Sequence, residues 1–209
     1  LRWKHRPNSS RTVNGSPNKT RLTLPFSTES WQIRPFAFSK RSILAPTTGP
    51  SQKFKLTYRD DPVAFIHDCF AWPEGQGPTF YQNEILTELP VRKRVAVRGP
   101  HGLGKTALAS WVVLWFALTR DGEDWKAPTT ASAWRQLTEY LWPEIRKWSR
   151  RIIWEKTGRE PFSDHHEMMS LSLRLGTGEA FAAASDQPAL IEGAHADCLL
   201  YVFDEAKAI

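Results

Sequence analysis

The chain has 209 residues and a formal net charge of +6, a length that suffices for one α/β domain and a tail. Its two cysteines, Cys69 and Cys198, lie far apart in the sequence, which excludes a disulfide framework and a cysteine-rich metal site. No apolar run reaches membrane-spanning length and no secretory signal is visible, so we expect a cytoplasmic protein without a membrane partner.

Residues 1–55 differ in composition from the rest of the chain. They hold 11 of the 28 Lys and Arg residues, one acidic residue (Glu29), and many Ser, Thr, Asn and Pro residues without an apolar period. This composition predicts a disordered basic tail before a folded domain over residues 56–209. Two interpretations of the tail stay open: non-specific binding of nucleic acid, or spurious sequence upstream of the true start.

Two helices and a strand are predicted at the start of the domain. Asp60-Asp61-Pro62 has the capping residue and early proline of a helix start, and this helix would run to about Phe70. Thr79–Leu89 is predicted as a second helix, which Pro90 closes. Arg94–Arg98 carries two valines in alternation and predicts a short strand.

The most informative segment is Gly99–Thr106, which matches the pattern G-x-x-x-x-G-K-[ST] between that strand and an apolar helix. Strand, glycine-rich loop and helix together predict a P-loop, whose backbone N–H groups and helix N-terminus bind a polyphosphate. Lys105 would reach the β- and γ-phosphates of ATP, and the Thr106 hydroxyl would ligate Mg²⁺. The predicted nucleotide-binding residues of this loop are Gly99, Pro100, His101, Gly102, Leu103, Gly104, Lys105 and Thr106.

The segments that follow predict a packed helix, a strand and a hairpin. Ala107–Leu118 is predicted as an apolar helix. Its residues 111–118 are apolar all round, which predicts packing on both faces with Trp111 and Trp115 in the core. Thr129–Ala131 predicts a second strand. Leu171–Leu175 and Glu179–Ala184 predict a hairpin around Gly176-Thr177-Gly178.

Between that strand and the hairpin, a helix is predicted from Ala133 to about Lys156, with a bend at Pro143. Its apolar stripe consists of Trp134, Leu137, Leu141, Ile145, Trp148 and Ile152. Its basic cluster consists of Arg146, Lys147, Arg150 and Arg151, and is either a solvated face or a contact to DNA phosphates.

A second motif lies near the end of the chain, where the apolar run Leu199–Phe203 is followed by Asp204 and Glu205. Carboxylates at the C-terminal end of a buried parallel strand lie where open α/β sheets bind their ligands. Asp204 is placed to hold Mg²⁺, directly or through water, and Glu205 to act as general base on the attacking water. A water-activating carboxylate favours a hydrolytic ATPase over a kinase, with Lys105 and Glu205 as catalytic residues.

Four segments together resemble the ATPase domain of phage terminase large subunits, and the resemblance covers roughly residues 58–209. They are FYQNEIL (80–86), RGPHGLGKT (98–106), TASAWRQL (130–137) and FDEAK (203–207). The resemblance implies an additional-strand P-loop NTPase with a mainly parallel sheet flanked by helices, truncated here after the strand that precedes Asp204. It also implies a motor that packages viral DNA in the host cytoplasm, with double-stranded DNA, a homo-oligomeric ring on the capsid portal and a small terminase subunit as partners.

The resemblance also assigns roles to residues outside the two motifs. In that family an aromatic residue and a glutamine upstream of the P-loop contact adenine, and Tyr81 and Gln82 match this pair. Many members carry an arginine finger inside the P-loop, where this chain has His101; Arg98, Arg135 or an arginine of a neighbouring subunit would then replace it. The nuclease domain of the family, and the strand that inserts beside the P-loop strand, would lie beyond Ile209.

Two alternatives to the terminase interpretation remain. One is another P-loop DNA translocase or helicase, of which a helicase would carry further motifs and a second motor domain. The other is a non-catalytic, DNA- or capsid-binding remnant of a prophage. The intact residues Lys105, Thr106, Asp204 and Glu205 argue against decay.

Overall fold

The computed structural model describes residues 49–184 and 194–205 of the chain. These residues form an α/β fold in which a mixed, open sheet is flanked by helices. The predicted disordered tail lies outside the described residues up to position 48, as do Ala206 and Lys207 of the last motif. Within the described ranges, no helix is both long and apolar enough to cross a membrane.

Between residue 49 and the glycine-rich loop the structure has three helices: α1 (Gln52–Tyr58), α2 (Pro62–Cys69) and α3 (Phe80–Arg92). The predicted start of α2 is confirmed, because the Asp61 side chain accepts a backbone N–H of the first turn at 2.8 Å. α3 begins after Thr79 as predicted, but it continues past Pro90 to Arg92. The proline removes one hydrogen bond from the last turn, and Lys93 then ends the helix in the left-handed conformation.

The first helix shows that the folded body begins before residue 56, the boundary predicted from composition. Ser51 caps α1, since its Oγ accepts the N–H of Phe54 at 3.2 Å, and the Phe54 side chain is buried in the core. Ser51 also donates its backbone N–H to the carbonyl of Thr157 at 2.9 Å. A single buried aromatic residue in a polar segment produces no apolar period, so the sequence pattern assigned it to the tail.

Replacement of Phe54 by alanine is expected to destabilise the protein by about 3–5 kcal/mol, the usual cost of removing a buried phenyl ring. The ring packs against Tyr58 and Phe65, at centroid distances of 5.1 Å and 6.0 Å. Urea unfolding followed by tryptophan fluorescence measures the change, with Leu56→Ala at an exposed position of the same helix as the control. If Phe54→Ala lowers the free energy of unfolding no more than Leu56→Ala does, α1 does not unfold cooperatively with the rest of the domain.

Helix α4 (Lys105–Arg120) follows the loop directly and forms the centre of the core. Every residue from Ser110 to Arg120 is buried, so the prediction of a helix packed on all sides is confirmed. Trp111 and Trp115 are 2% and 3% exposed, which confirms both as core residues. Lys105 and Thr106, the last two residues of the glycine-rich loop, are the first two of the helix, so its packing fixes one end of that loop.

The strand predicted over Arg94–Arg98 is not formed. The described backbone from 94 to 100 is assigned to no helix or strand, and Val95 and Val97 are 37% and 40% exposed. A strand exists only where a neighbouring strand satisfies its N–H and C=O groups, and no described strand pairs with this segment. The alternating valines favour a strand, but a strand also requires a neighbouring strand, and none of the described strands pairs with this segment.

The sheet is built around β1 (Trp125–Ala131), which pairs in parallel with β3 (Gly178–Ala182), β4 (Cys198–Leu199) and β5 (Val202–Asp204). β2 (Ser172–Leu175) pairs antiparallel with β3, which confirms the predicted hairpin and makes the sheet mixed, with three parallel pairings and one antiparallel pairing among the described strands. β1 begins four residues earlier than the predicted strand Thr129–Ala131. It includes Pro128, which propensity alone excludes from a central strand.

That proline also explains why the single strand predicted over Leu199–Phe203 appears as β4 and β5. Both pair with β1 in one continuous register, from Cys198 opposite Trp125 to Asp204 opposite Ala131. Pro128 faces the interruption between them and has no N–H to donate across the sheet. The strand is therefore interrupted because one hydrogen bond is missing. Its register continues past the interruption, so Asp204 lies at the end of the sheet.

Replacement of Gly178 by alanine is expected to destabilise the protein by about 1–3 kcal/mol or more, because the sheet leaves no space for a Cβ. An added Cβ would lie 2.1 Å from the carbonyl oxygen of Trp125, the residue opposite in the register. Gly176→Ala in the adjoining turn is the matched control, since nothing lies within 4 Å of a Cβ there. Chemical denaturation compares the two variants, and equal stabilities would contradict this close packing.

The long helix predicted from Ala133 to Lys156 is divided. α5 (Trp134–Gln136) passes through a π turn (Leu137–Leu141) into α6 (Trp142–Ser149), and α7 (Trp154–Thr157) is separate. Pro143 has no N–H for the carbonyl of Glu139, and the wider π turn accommodates this loss just before the proline. The stripe residues Leu137, Leu141, Ile145, Trp148 and Ile152 are buried as predicted. Trp134 is 47% exposed, so its assignment to the stripe was wrong.

Candidate functional site

The backbone of the Gly99–Thr106 loop leaves the first turn of α4 open to an anion. Gly102 and Gly104 have φ values of +85° and +70°, the left-handed conformation that glycine adopts without strain. Gly104 is the N-cap of α4 and has no side chain with which to cap it. The N–H groups at the start of the helix therefore keep their capacity to bind a negatively charged ligand.

Lys105 folds back across this loop. Its Nζ donates to the carbonyl oxygens of Gly99 at 3.0 Å and Pro100 at 2.7 Å. These carbonyls hold the ammonium group beside the open end of α4, where it is available to a phosphate. A charged phosphate oxygen is a stronger acceptor than a neutral carbonyl, so the lysine would exchange partners when a phosphate binds.

Tyr81 and Gln82, the predicted adenine contacts, both lie against the backbone of the loop. The Tyr81 hydroxyl donates to the carbonyl of Leu103, and Gln82 Nε2 donates to the carbonyl of Gly104 at 3.4 Å. Gln82 is buried, and its Oε1 accepts from the Thr79 N–H at 2.8 Å and the Thr79 Oγ1 at 3.0 Å. Both polar atoms of the amide are thus engaged within the protein.

The two acidic residues follow β5 and differ in environment. Asp204 is 9% exposed, and burial is the main cause that raises the pKa of its carboxyl group, with the charge of Glu205 second. Lys105 acts in the opposite direction and lowers that pKa. A bound cation would act in the same direction as Lys105 and favour the ionised form of this buried carboxyl group.

Glu205 is held in an unusual conformation. Its φ is +54°, in the left-handed region that costs a non-glycine residue about 1–3 kcal/mol. Its Oε2 accepts a hydrogen bond from Gln136 Nε2 at 3.0 Å. Gln136 ends α5, so the helix after β1 fixes the carboxylate that follows β5.

The two motifs meet in one cavity of about 510 Å³. Its lining includes seven of the predicted site residues: His101, Gly102, Gly104, Lys105, Thr106, Asp204 and Glu205. Gly99, Pro100, Leu103, Tyr81 and Gln82 are not in the lining and contact the loop or belong to it. Arg98 and Arg135, the proposed replacements for an arginine finger, do not line it either, and Arg135 pairs with Glu139 at 2.8 Å.

The rest of the lining was not predicted as part of the site. It consists of Ala107, Glu139, Tyr140, Pro143, Glu144 and Lys147. Of the predicted basic cluster only Lys147 reaches the cavity, where its Nζ pairs with Glu144 at 3.0 Å. The sequence placed these residues on a helix, but nothing in it indicated that this helix faces the loop.

The charges in the lining favour a divalent cation over a bare polyphosphate. Carboxylates outnumber lysines, so a bare polyphosphate would be repelled. Thr106 and Asp204 offer a hydroxyl and a carboxylate, the oxygen donors that Mg²⁺ prefers, and Mg²⁺ completes its shell with phosphate and water. In the described part of the chain no group of three His, Cys, Asp or Glu residues is arranged to hold a metal alone. The donor set therefore fits a magnesium ion that takes its remaining oxygen ligands from a bound anion or from water.

Comparison with protein-family models found no matching family, and comparison with curated proteins found no match.

Proposed function

We propose that this protein binds ATP with Mg²⁺ in the cavity and hydrolyses it. One observation carries the proposal: residues of both motifs line the same cavity. Lys105 and Thr106 come from the glycine-rich loop, and Asp204 and Glu205 lie about 100 residues later in the chain. That cavity of about 510 Å³ falls in the usual range for small-molecule sites, about 300–1,000 Å³. The resemblance of the two motifs to those of ATPases adds to this support.

Each residue has a chemical role in the proposed reaction. The N–H groups of the loop and of the first turn of α4 would bind the β- and γ-phosphates, and Lys105 would leave its carbonyl partners to join them. Thr106 and Asp204 would hold Mg²⁺, which supplies positive charge to the phosphate oxygens. Glu205 would accept a proton from the attacking water through Oε1, while Gln136 keeps Oε2 in place.

We further propose that the reaction drives a DNA-packaging motor of the terminase type. The four segments that resemble terminase ATPase domains support this role, and two of them contribute the loop and the acidic pair of the cavity. The proposed partners are double-stranded DNA, further copies of the chain in a ring at the capsid portal, and a small terminase subunit. The proposed location is the cytoplasm of the host cell.

Phosphate release by the complete protein tests these proposals. Hydrolysis of ATP that requires Mg²⁺, and that double-stranded DNA stimulates, is the expected result. Stimulation by single-stranded DNA alone would favour a helicase. The absence of ATP binding and turnover, in a protein that folds and binds DNA, would favour the prophage remnant.

A further inference from the structure

The first turn of α3 is tied to the glycine-rich loop at two successive carbonyls. Tyr81 donates its hydroxyl hydrogen to the carbonyl of Leu103, and Gln82 Nε2 donates to that of Gly104 at 3.4 Å. The contact is close, because a Cβ added to Gly104 would lie 2.9 Å from Gln82 Nε2. Tyr81 and Gln82 therefore pack directly on the part of the loop that leads into α4.

The bonds to Thr79 limit what else Gln82 can do. Its Oε1 accepts two hydrogen bonds from that residue, and this arrangement is the capping box of α3. Recognition of the adenine edge by an amide needs both its acceptor and its donor. In this conformation the acceptor is occupied, so base recognition would require Gln82 to abandon the cap of its own helix.

The contacts instead determine the direction of the loop's N–H groups. In a planar trans peptide the carbonyl of one residue and the N–H of the next point in opposite directions. Holding the carbonyls of Leu103 and Gly104 toward α3 therefore directs the N–H groups of Gly104 and Lys105 away from α3. Gly104 and Lys105 line the cavity proposed to receive the phosphates.

We propose that Tyr81 and Gln82 are positioning residues, which hold the loop in its phosphate-binding shape and do not select the base. This inference rests on the proposed function, since it assigns a role within the same nucleotide site. It makes a distinct prediction: the two residues support the binding of any polyphosphate, with or without a base.

Two variants separate the positioning role from base recognition. Tyr81→Phe keeps the aromatic ring that could stack on adenine, and removes the hydroxyl that holds Leu103. Gln82→Glu keeps an oxygen that accepts the hydrogen bonds of the capping box, but it has no N–H to donate to the carbonyl of Gly104. Glu84→Gln, at an exposed position of the same helix, is the control.

Calorimetric titration of the complete protein with ATP, GTP and inorganic tripolyphosphate, each with Mg²⁺, is the experiment. In each variant the affinity for all three probes is expected to fall together by about tenfold, as for one lost hydrogen bond to a positioned group. The control is expected to match the wild type, and melting temperatures show that all proteins are folded. Tyr81→Phe introduces no charge, so it remains informative if Gln82→Glu perturbs the site electrostatically.

The outcomes that contradict the inference are distinct from failure of the proposed function. A loss for ATP alone, with tripolyphosphate binding unchanged, would show that these residues contact adenine. Unchanged affinities for every probe would show that they have no role in binding. If the wild-type protein binds none of the three probes, the nucleotide site itself is wrong and the inference fails with it.

Discussion

Lys105→Ala is expected to abolish ATP binding by the complete protein. The lysine is the ammonium group held at the loop, and charge-assisted bonds to phosphate are among the strongest that a side chain makes. Lys105 would bind both the β- and the γ-phosphate, and charged partners of this kind contribute about 1.5–3 kcal/mol each. We therefore expect the affinity to fall by about a hundredfold or more. The alanine variant also leaves the carboxylates of the cavity with less opposing charge.

Equilibrium titration with a fluorescent ATP analogue measures this loss. Lys53→Ala, which removes an exposed lysine from α1, is the matched control and should bind like the wild type. Chemical denaturation of both variants separates lost binding from lost folding. ATP binding by the alanine variant at the affinity of the wild type would refute the assignment of the loop to phosphate.

Glu205→Gln is expected to leave ATP binding intact and to slow hydrolysis by about 10²–10⁴-fold, the usual contribution of a general base. The amide oxygen of glutamine still accepts a hydrogen bond from Gln136, so the contact that positions residue 205 is kept. The substitution removes the negative charge and, with it, the ability to take a proton from water. The expected signature is therefore a fall in kcat without a weaker nucleotide affinity.

Phosphate release under single-turnover conditions gives the rate, and titration gives the affinity. Glu155→Gln, on the exposed surface of α7, controls for the loss of one negative charge. Hydrolysis by Glu205→Gln at the wild-type rate would show that another group activates the water. Glu139 and Glu144, the other glutamates of the cavity, would then be the next candidates.

Features that depend on neighbouring residues in the chain could be predicted from the sequence. The cap of α2, the apolar helix α4 and the turn between β2 and β3 each have a local cause: a capping side chain, a continuous apolar surface, and a two-residue turn. The loop at 99–106 and the acidic pair at 204–205 were predicted in the same way. Their meeting in one cavity followed from the expectation that ligands bind at strand ends.

Other features that depend on distant partners could not be predicted. Arg94–Arg98 has the alternation of a strand, yet pairing is a property of two segments. Phe54 is one aromatic residue in a polar stretch, and only tertiary packing makes it part of the core. Lys147 lies on a helix that faces the loop only through tertiary packing, so helical spacing alone could not place it in the cavity.

At residue 205 the left-handed backbone lowers the stability of the fold, while the proposed reaction requires the glutamate side chain. Glycine, or asparagine to a lesser degree, fits that conformation better than glutamate does. Selection for thermal stability alone would therefore favour glycine at this position, and would remove the proposed base in the same step. We therefore expect a variant that is stabilised by substitution at position 205 to lose ATP turnover. Attempts to raise the stability of this protein would have to leave Glu205 unchanged.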